Sequence, residues 1–281
     1  MTVFQKASKG QGNKLTQTLR FEVAGHTSVG VVRKANEDSI DWFQSPSGDV
    51  VLAVVADGMG GHAGGAKASQ TAIEVFVATL APGLAKKKLL SLEQIEQSMY
   101  QAGVEAHNAI HLAKLGNPDF LKMGTTIVGL WIQGSTASIL HVGDSRCYRI
   151  RESEGATDIQ QLTRDDSVVQ TMVEEGTLAA AEAEMSPYRN MLTQAIGSDG
   201  DILLNQLETD VEVGDLFLLC SDGLYNEMTN SQIVRLLEEF DGLQPPLSTN
   251  TSLNRAAYKL VEAAIEAGGH DNISVVLVRV Y

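Results

Sequence analysis

Apolar residues fall along this chain in two rhythms. Leu19, Phe21 and Val23 alternate with Arg20, Glu22 and Ala24, the period of a strand. Continuous apolar or alternating runs over 50–56, 125–132, 137–142, 146–151, 202–209, 215–220 and 273–281 predict further strands. Helical spacing replaces them over 66–80, 92–115, 167–175, 231–240 and 253–267. Ser91 with Gln94, and Thr229 with Gln232, have the spacing of capping boxes at two helix starts.

The predicted strands cluster instead of alternating one-for-one with helices. Only Gly143-Asp144-Ser145 separates the runs 137–142 and 146–151, a hairpin-length connection. This favours antiparallel sheets with helices packed outside, an α+β arrangement. Residues 163–193 break the strand pattern with a short helix and then an Ala- and Glu-rich stretch, which reads as an inserted excursion. The stretch 241–251, with Pro245-Pro246, reads as a surface loop. Residues 1–19 are polar and basic without an apolar pattern, and are expected to form a mobile tail on a single domain of residues 20–281.

Composition narrows the function classes. With 281 residues and 43% hydrophobic content the chain can bury a substantial core. A formal charge of -14 argues against nucleic acid or an anionic membrane as partner. No stretch reaches the roughly 20 apolar residues of a membrane span, and the start lacks a signal-peptide core. Cys147 and Cys220 sit in apolar surroundings without CxxC spacing, so buried thiols in a reducing compartment are expected. A soluble, cytoplasmic, monomeric protein is the expectation.

Candidate chemistry gathers where strands end. Asp57-Gly58 closes one apolar run and Asp222-Gly223 follows another. Asp271 stands just before the last strand, and Asp144 follows Val142-Gly143. Carboxylates brought together there are costly unless cations neutralise them, which suggests a hard-metal site built from oxygen ligands. The glycines of 57–65 do not suit a phosphate loop, since Gly65 is followed by Ala66 and not Lys. They are better suited to a tight backbone approach to a metal or its ligands.

Seven segments occur together in one order. They are Arg33-Lys34-Ala35-Asn36-Glu37-Asp38-Ser39, Val55-Ala56-Asp57-Gly58-Met59-Gly60-Gly61, Met123-Gly124-Thr125-Thr126, His141-Val142-Gly143-Asp144-Ser145-Arg146, Leu192-Thr193-Gln194-Ala195-Ile196-Gly197, Cys220-Ser221-Asp222-Gly223-Leu224 and Gly269-His270-Asp271-Asn272-Ile273-Ser274. In this the chain resembles the PPM family (type 2C) of metal-dependent serine/threonine protein phosphatases, in its bacterial form. The resemblance implies two stacked antiparallel β-sheets flanked by helices, with a flap at about 163–193. It implies hydrolysis of phosphoserine and phosphothreonine in proteins by a metal-activated water, without a phosphoenzyme intermediate.

Residue roles follow from the same resemblance. Asp57 resembles the carboxylate bridging two divalent ions, Mn²⁺ or Mg²⁺, with the Gly58 carbonyl as a further ligand. Asp222 and Asp271 resemble ligands of the first ion, and Asp38 a supporting group near the second. Asp144 resembles a ligand of a third, weaker ion, shared with Asp222. Arg33 resembles the phosphate-binding arginine. His62 resembles the acid that protonates the leaving oxygen, three residues later than in animal members. Asp166 stands where relatives often carry His. The implied partners are phosphorylated proteins, a Ser/Thr kinase or its targets. The two rival classes, a catalytically dead phosphoprotein binder and a Ca²⁺ sensor, are opposed by the presence of Asp57, Asp222 and Asp271 and by the absence of EF-hand spacing.

Overall fold

The computed structural model describes residues 19–84, 89–153, 155–183, 185–239 and 251–281. The expected tail, up to residue 18, and nearly all of the 241–251 loop lie outside them. In chain order the elements begin β1 (Phe21–Ser28), β2 (Asp38–Gln44), β3 (Val50–Met59), α1 (His62–Leu84) and α2 (Leu92–Lys114). A 3-10 turn at Pro118–Phe120 leads to β4 (Gly124–Thr125), β5 (Ile127–Gln133), β6 (Thr136–Val142), β7 (Arg146–Ser153) and β8 (Ala156–Gln161). Then come α3 (Val168–Glu174), α4 (Ala180–Ala183), β9 (Asn205–Asp210), β10 (Leu216–Cys220), α5 (Asp222–Tyr225), α6 (Asn230–Glu239), α7 (Thr251–Ala267) and β11 (Ile273–Val280).

These strands form two antiparallel sheets. One runs β1-β11-β10-β7-β8 and the other β2-β3-β5-β6-β9, with β4 paired to β3. Alternation along each central strand explains the layering. On β3, Val51, Ala53 and Val55 join a core between the sheets, while Leu52, Val54 and Ala56 face α1 and α2. On β11, Val276, Val278 and Val280 enter the same inter-sheet core, while Val275 and Leu277 face α6 and α7. Both faces of a central strand are therefore dry, and this is why these strands appear in sequence as continuous apolar runs. The result is a helix-sheet-sheet-helix sandwich, the α+β architecture expected.

Helix starts follow the expected chemistry. Ser91 accepts from the Gln94 amide at 3.3 Å, and the Gln94 side chain accepts from the Ser91 amide at 3.0 Å. Thr229 and Gln232 form the same reciprocal pair before α6. Strands β2 and β8, each at a sheet edge, escaped the sequence reading. Their residues are largely polar and half exposed, so no apolar pattern marks them.

One expectation is corrected. Gly143-Asp144-Ser145 does not close a hairpin, because β6 and β7 belong to different sheets. The three residues carry the chain across the end of the sandwich, and Gly143 adopts φ 96° to make the turn. Asp144 thus sits where the two sheets meet.

Glu22 and Arg279 are directly opposed on β1 and β11 and form a buried ion pair. Arg279→Met should lower stability by about 3–5 kcal/mol, because it strands the Glu22 charge. Glu22→Leu in the same chain should recover most of that loss, as measured by urea unfolding.

Candidate metal and phosphate site

Five aspartates converge at one end of the sandwich. Asp38 and Asp57 face each other in the β2–β3 register, from one sheet. From the other sheet, Asp222 follows β10 as the first residue of α5, and Asp271 lies two residues before β11. Asp144 comes from the crossing between the sheets. Asp38, Asp57, Asp144 and Asp222 are enclosed by protein on nearly all sides. Asp57, Asp144 and Asp222 nevertheless keep some accessible surface, as groups on the floor of a cleft do.

Backbone and hydroxyl contacts fix these positions. The Thr126 hydroxyl accepts from the Asp57 amide at 2.9 Å, and the Thr125 hydroxyl donates to the Asp57 carbonyl at 2.8 Å. Ser221 reaches across the sheets, donating to Asp38 Oδ2 at 2.7 Å while accepting from the Ser274 amide at 3.0 Å. Tyr225 donates to the Asp144 carbonyl at 3.0 Å. The Arg146 guanidinium stacks 3.5 Å above the Tyr225 ring and forks onto Asp165.

The glycines of the first motif serve close approach. A Cβ on Gly58 would lie 2.1 Å from the Gly65 carbonyl and 2.4 Å from the Glu37 carbonyl. The start of α1 is thereby drawn tightly against the Asp57-Gly58 strand end. His62 is the first residue of that helix.

Arg33 lies on the loop between β1 and β2. Asn272 pins that loop by accepting from the Glu37 amide at 2.8 Å and donating to the carbonyls of Val29 and Ala35. The half-exposed Arg33 guanidinium donates to Asp271 Oδ2 at 2.6 Å. The expected phosphate-binding cation is therefore paired with one of the expected metal ligands. Ser221, Asn272, Thr126 and Tyr225 were not singled out in sequence. The first three lie inside the seven segments and Tyr225 directly follows one, but Ser, Thr and Asn at strand ends read as ordinary turn or cap residues.

Crowding shifts the carboxylates upward. Burial and then neighbouring charge raise Asp57 well above the usual carboxylate range. Burial lifts Asp38 to about 7, Asp144 to about 8 and Asp222 to about 6. Asp38 Oδ1 and Asp222 Oδ1 are buried without a hydrogen-bond partner. Orphaned anionic oxygens at strand ends suit hard divalent cations. Among the described residues no three His, Cys, Asp or Glu side chains are grouped to hold one ion unaided. The five converging side chains offer carboxylate oxygens, the donor type that suits Mg²⁺ and Mn²⁺. The two cysteines stand apart as free, buried thiols, and burial pushes Cys220 up to about 12.

Comparison with known proteins identifies the family. The profile described as Protein phosphatase 2C matches residues 26–263. The chain belongs to the protein phosphatase 2C family. The serine/threonine protein phosphatase PstP of Mycobacterium tuberculosis is 35% identical over 269 residues, 95% of this chain. The chain spans about half of that relative, 46% of its length. The serine/threonine phosphatase stp of Listeria monocytogenes is 31% identical over 253 residues, covering 90% of this chain and 93% of that protein. Among solved structures, the Streptococcus agalactiae serine/threonine phosphatase superposes with a TM-score of 0.78 at 32% identity, covering 92% of this chain and 99% of the other. The PstP catalytic domain in complex with two manganese ions gives 0.73 at 31% identity, covering 94% and 99%. This family's two-sheet architecture is the one described above. No helix among the described residues is long and apolar enough to cross a membrane.

A pH dependence follows for protein stripped of divalent cations. Raised carboxylates stabilise the fold when protonated, and that contribution is lost as pH rises through their folded values. His141, held down to about 4 by burial, acts in the opposite sense only up to its ordinary 6.5. From about pH 6.5 to 8 the loss at Asp38 and Asp144 is therefore unopposed by it. Thermal unfolding in chelator should show the melting temperature falling across that window. Added Mn²⁺ should reverse the trend, since binding requires the deprotonated carboxylates.

Proposed function

We propose that the protein is a metal-dependent phosphatase acting on phosphoserine and phosphothreonine in proteins. The observation that carries this reading is the convergence of five aspartates from both sheets, two with orphaned oxygens, beside an arginine able to reach them. Asp57, Asp222, Asp271 and the Gly58 carbonyl would hold two divalent ions, with Asp38 in support and Asp144 toward a third. Bound ions would supply the charge that lets a water attack phosphorus directly, without a phosphoenzyme intermediate.

The chain's own groups divide the remaining work. Asp271 pairs with the Arg33 guanidinium here and would also be called on to hold a metal ion. Freed from that pairing, Arg33 would turn toward the phosphoryl oxygens, where its fork could make two charge-assisted bonds. His62, at the start of α1, is the residue this reading assigns to protonating the leaving oxygen, a role that imidazole chemistry suits. A cleft of about 340 Å³ opens beside Met59 and the end of the 163–193 segment, lined also by Lys122, Met123 and Leu192. It offers room for the polypeptide flanking the phosphorylated residue. A phosphorylated kinase or its targets are the substrates this reading favours, in the cytoplasm and with the enzyme as a monomer.

Hydrolysis of a phosphothreonine peptide should require added Mn²⁺ or Mg²⁺ and cease in chelator. Turnover in a metal-free sample would overturn the proposal. Asp57→Asn, Asp222→Asn and Asp271→Asn should each lower kcat more than about 100-fold, since even outer partners of metal ligands are worth about 10–100-fold. Near-normal turnover in any of them would show the site to be misplaced.

Arg33→Ala separates the two partners of Asp271. It should raise KM for the phosphopeptide about tenfold, the worth of one charge-assisted hydrogen bond. It should also tighten Mn²⁺ binding in calorimetry, because a competing cation is gone. Weaker Mn²⁺ binding would contradict the competition.

A further inference from the structure

The segment between β8 and β9 leaves one sheet and returns to the other. Its two limbs are zipped at the base, where Ser167 bridges Leu192 and the Val168 amide donates to the Met191 carbonyl at 2.8 Å. Asp166 lies at this base and is buried, with 5% of its surface exposed. Its contacts run in three directions. The Asp166 amide donates to the Gly143 carbonyl at 2.9 Å, and Asp166 Oδ2 accepts from the Gly143 amide at 3.0 Å. The Asp166 carbonyl accepts from the Thr193 amide at 2.8 Å, on the returning limb. Both carboxylate oxygens accept from Asn205 Nδ2 on β9, at 3.2 and 3.0 Å. Arg164 Nη1 lies 3.6 Å from Oδ1.

We propose that Asp166 is a positioning residue that locks the Asp144 turn to both limbs of the flap. Gly143 precedes Asp144 in the crossing between the sheets, at φ 96°. Asp166 grips that glycine on both its amide and its carbonyl. Tyr225 and Arg146 hold the other side of the turn. A displaced flap therefore pulls on Asp144, and a displaced Asp144 turn pulls on the flap. The short, buried carboxylate matters here. It brings two acceptor oxygens to one site, one for Gly143 and both for Asn205.

This inference rests on the phosphatase reading, in which Asp144 serves the weaker metal position. Asp166→Ala should stay folded, because the sandwich cores do not include it. It should lower kcat on a phosphopeptide about tenfold with little change in KM, given that an ångström of misplacement can cost up to about 100-fold. Calorimetric titration should show the weakest Mn²⁺ event shifted to higher concentration while the tighter ones are retained. Hydrogen exchange at the Gly143 and Thr193 amides should accelerate together. The exchange Asp166→Asn with Asn205→Asp keeps an acceptor for Gly143 and a donor–acceptor pair with β9. It should restore most of the lost turnover and Mn²⁺ affinity, whereas Asp166→Asn alone should not.

Wild-type Mn²⁺ affinity and wild-type Gly143 exchange in Asp166→Ala would overturn the proposal, as would failure of the paired exchange to rescue a folded protein. If the unaltered protein hydrolyses no phosphopeptide, the functional reading fails, while the exchange and Mn²⁺ titrations still judge the lock.

Discussion

Negative charge concentrated in a confined space is the constraint around which this structure is arranged. Burial and mutual repulsion hold Asp38, Asp57, Asp144 and Asp222 above the ordinary carboxylate range. Such a cluster would spread apart on a yielding scaffold. Here it is anchored to the ends of strands whose two faces are both dry, so relaxation would have to break the inter-sheet core. The apolar sandwich and the acidic cluster are thus linked: rigidity of the first permits strain in the second. A cation held there would draw on the energy of that unneutralised charge.

Much of this was legible in the sequence, for a physical reason. Central strands buried on both faces need unbroken apolar runs, so β3, β5, β10 and β11 announced themselves. Amphipathic helices with reciprocal Ser–Gln or Thr–Gln caps did the same for α2 and α6. Edge strands β2 and β8 pair on one side only and carry polar residues, so they left no pattern. The aspartates stood out because acidic residues rarely end apolar runs without cause. Their supporting groups did not. Ser221 gripping Asp38, or Asn272 pinning the Arg33 loop, uses side chains that occur at any strand end, and only long-range pairing gives them meaning.

The Gly143-Asp144-Ser145 connection shows where local reading misleads. Three residues between two strands fit a hairpin by length alone. Which sheet each strand joins is settled elsewhere, by β9 closing beside β6 and β10 beside β7. Tertiary pairing overrode a turn signal that was correct in its chemistry, since Gly143 does take a positive φ.

That crossing also explains why the inserted segment sits where it does. A chain leaving β8 at the edge of one sheet must reach β9 at the edge of the other, and the shortest route passes the end where β6 becomes β7. Asp165 and Asp166 lie at the start of that route. Asp165 meets Arg146 just beyond Asp144, while Asp166 meets Gly143 just before it. Consecutive carboxylates of one segment thus hold the two flanks of a single turn. Two sheets, an acidic turn and a long insertion are thereby joined at one point through a few short hydrogen bonds.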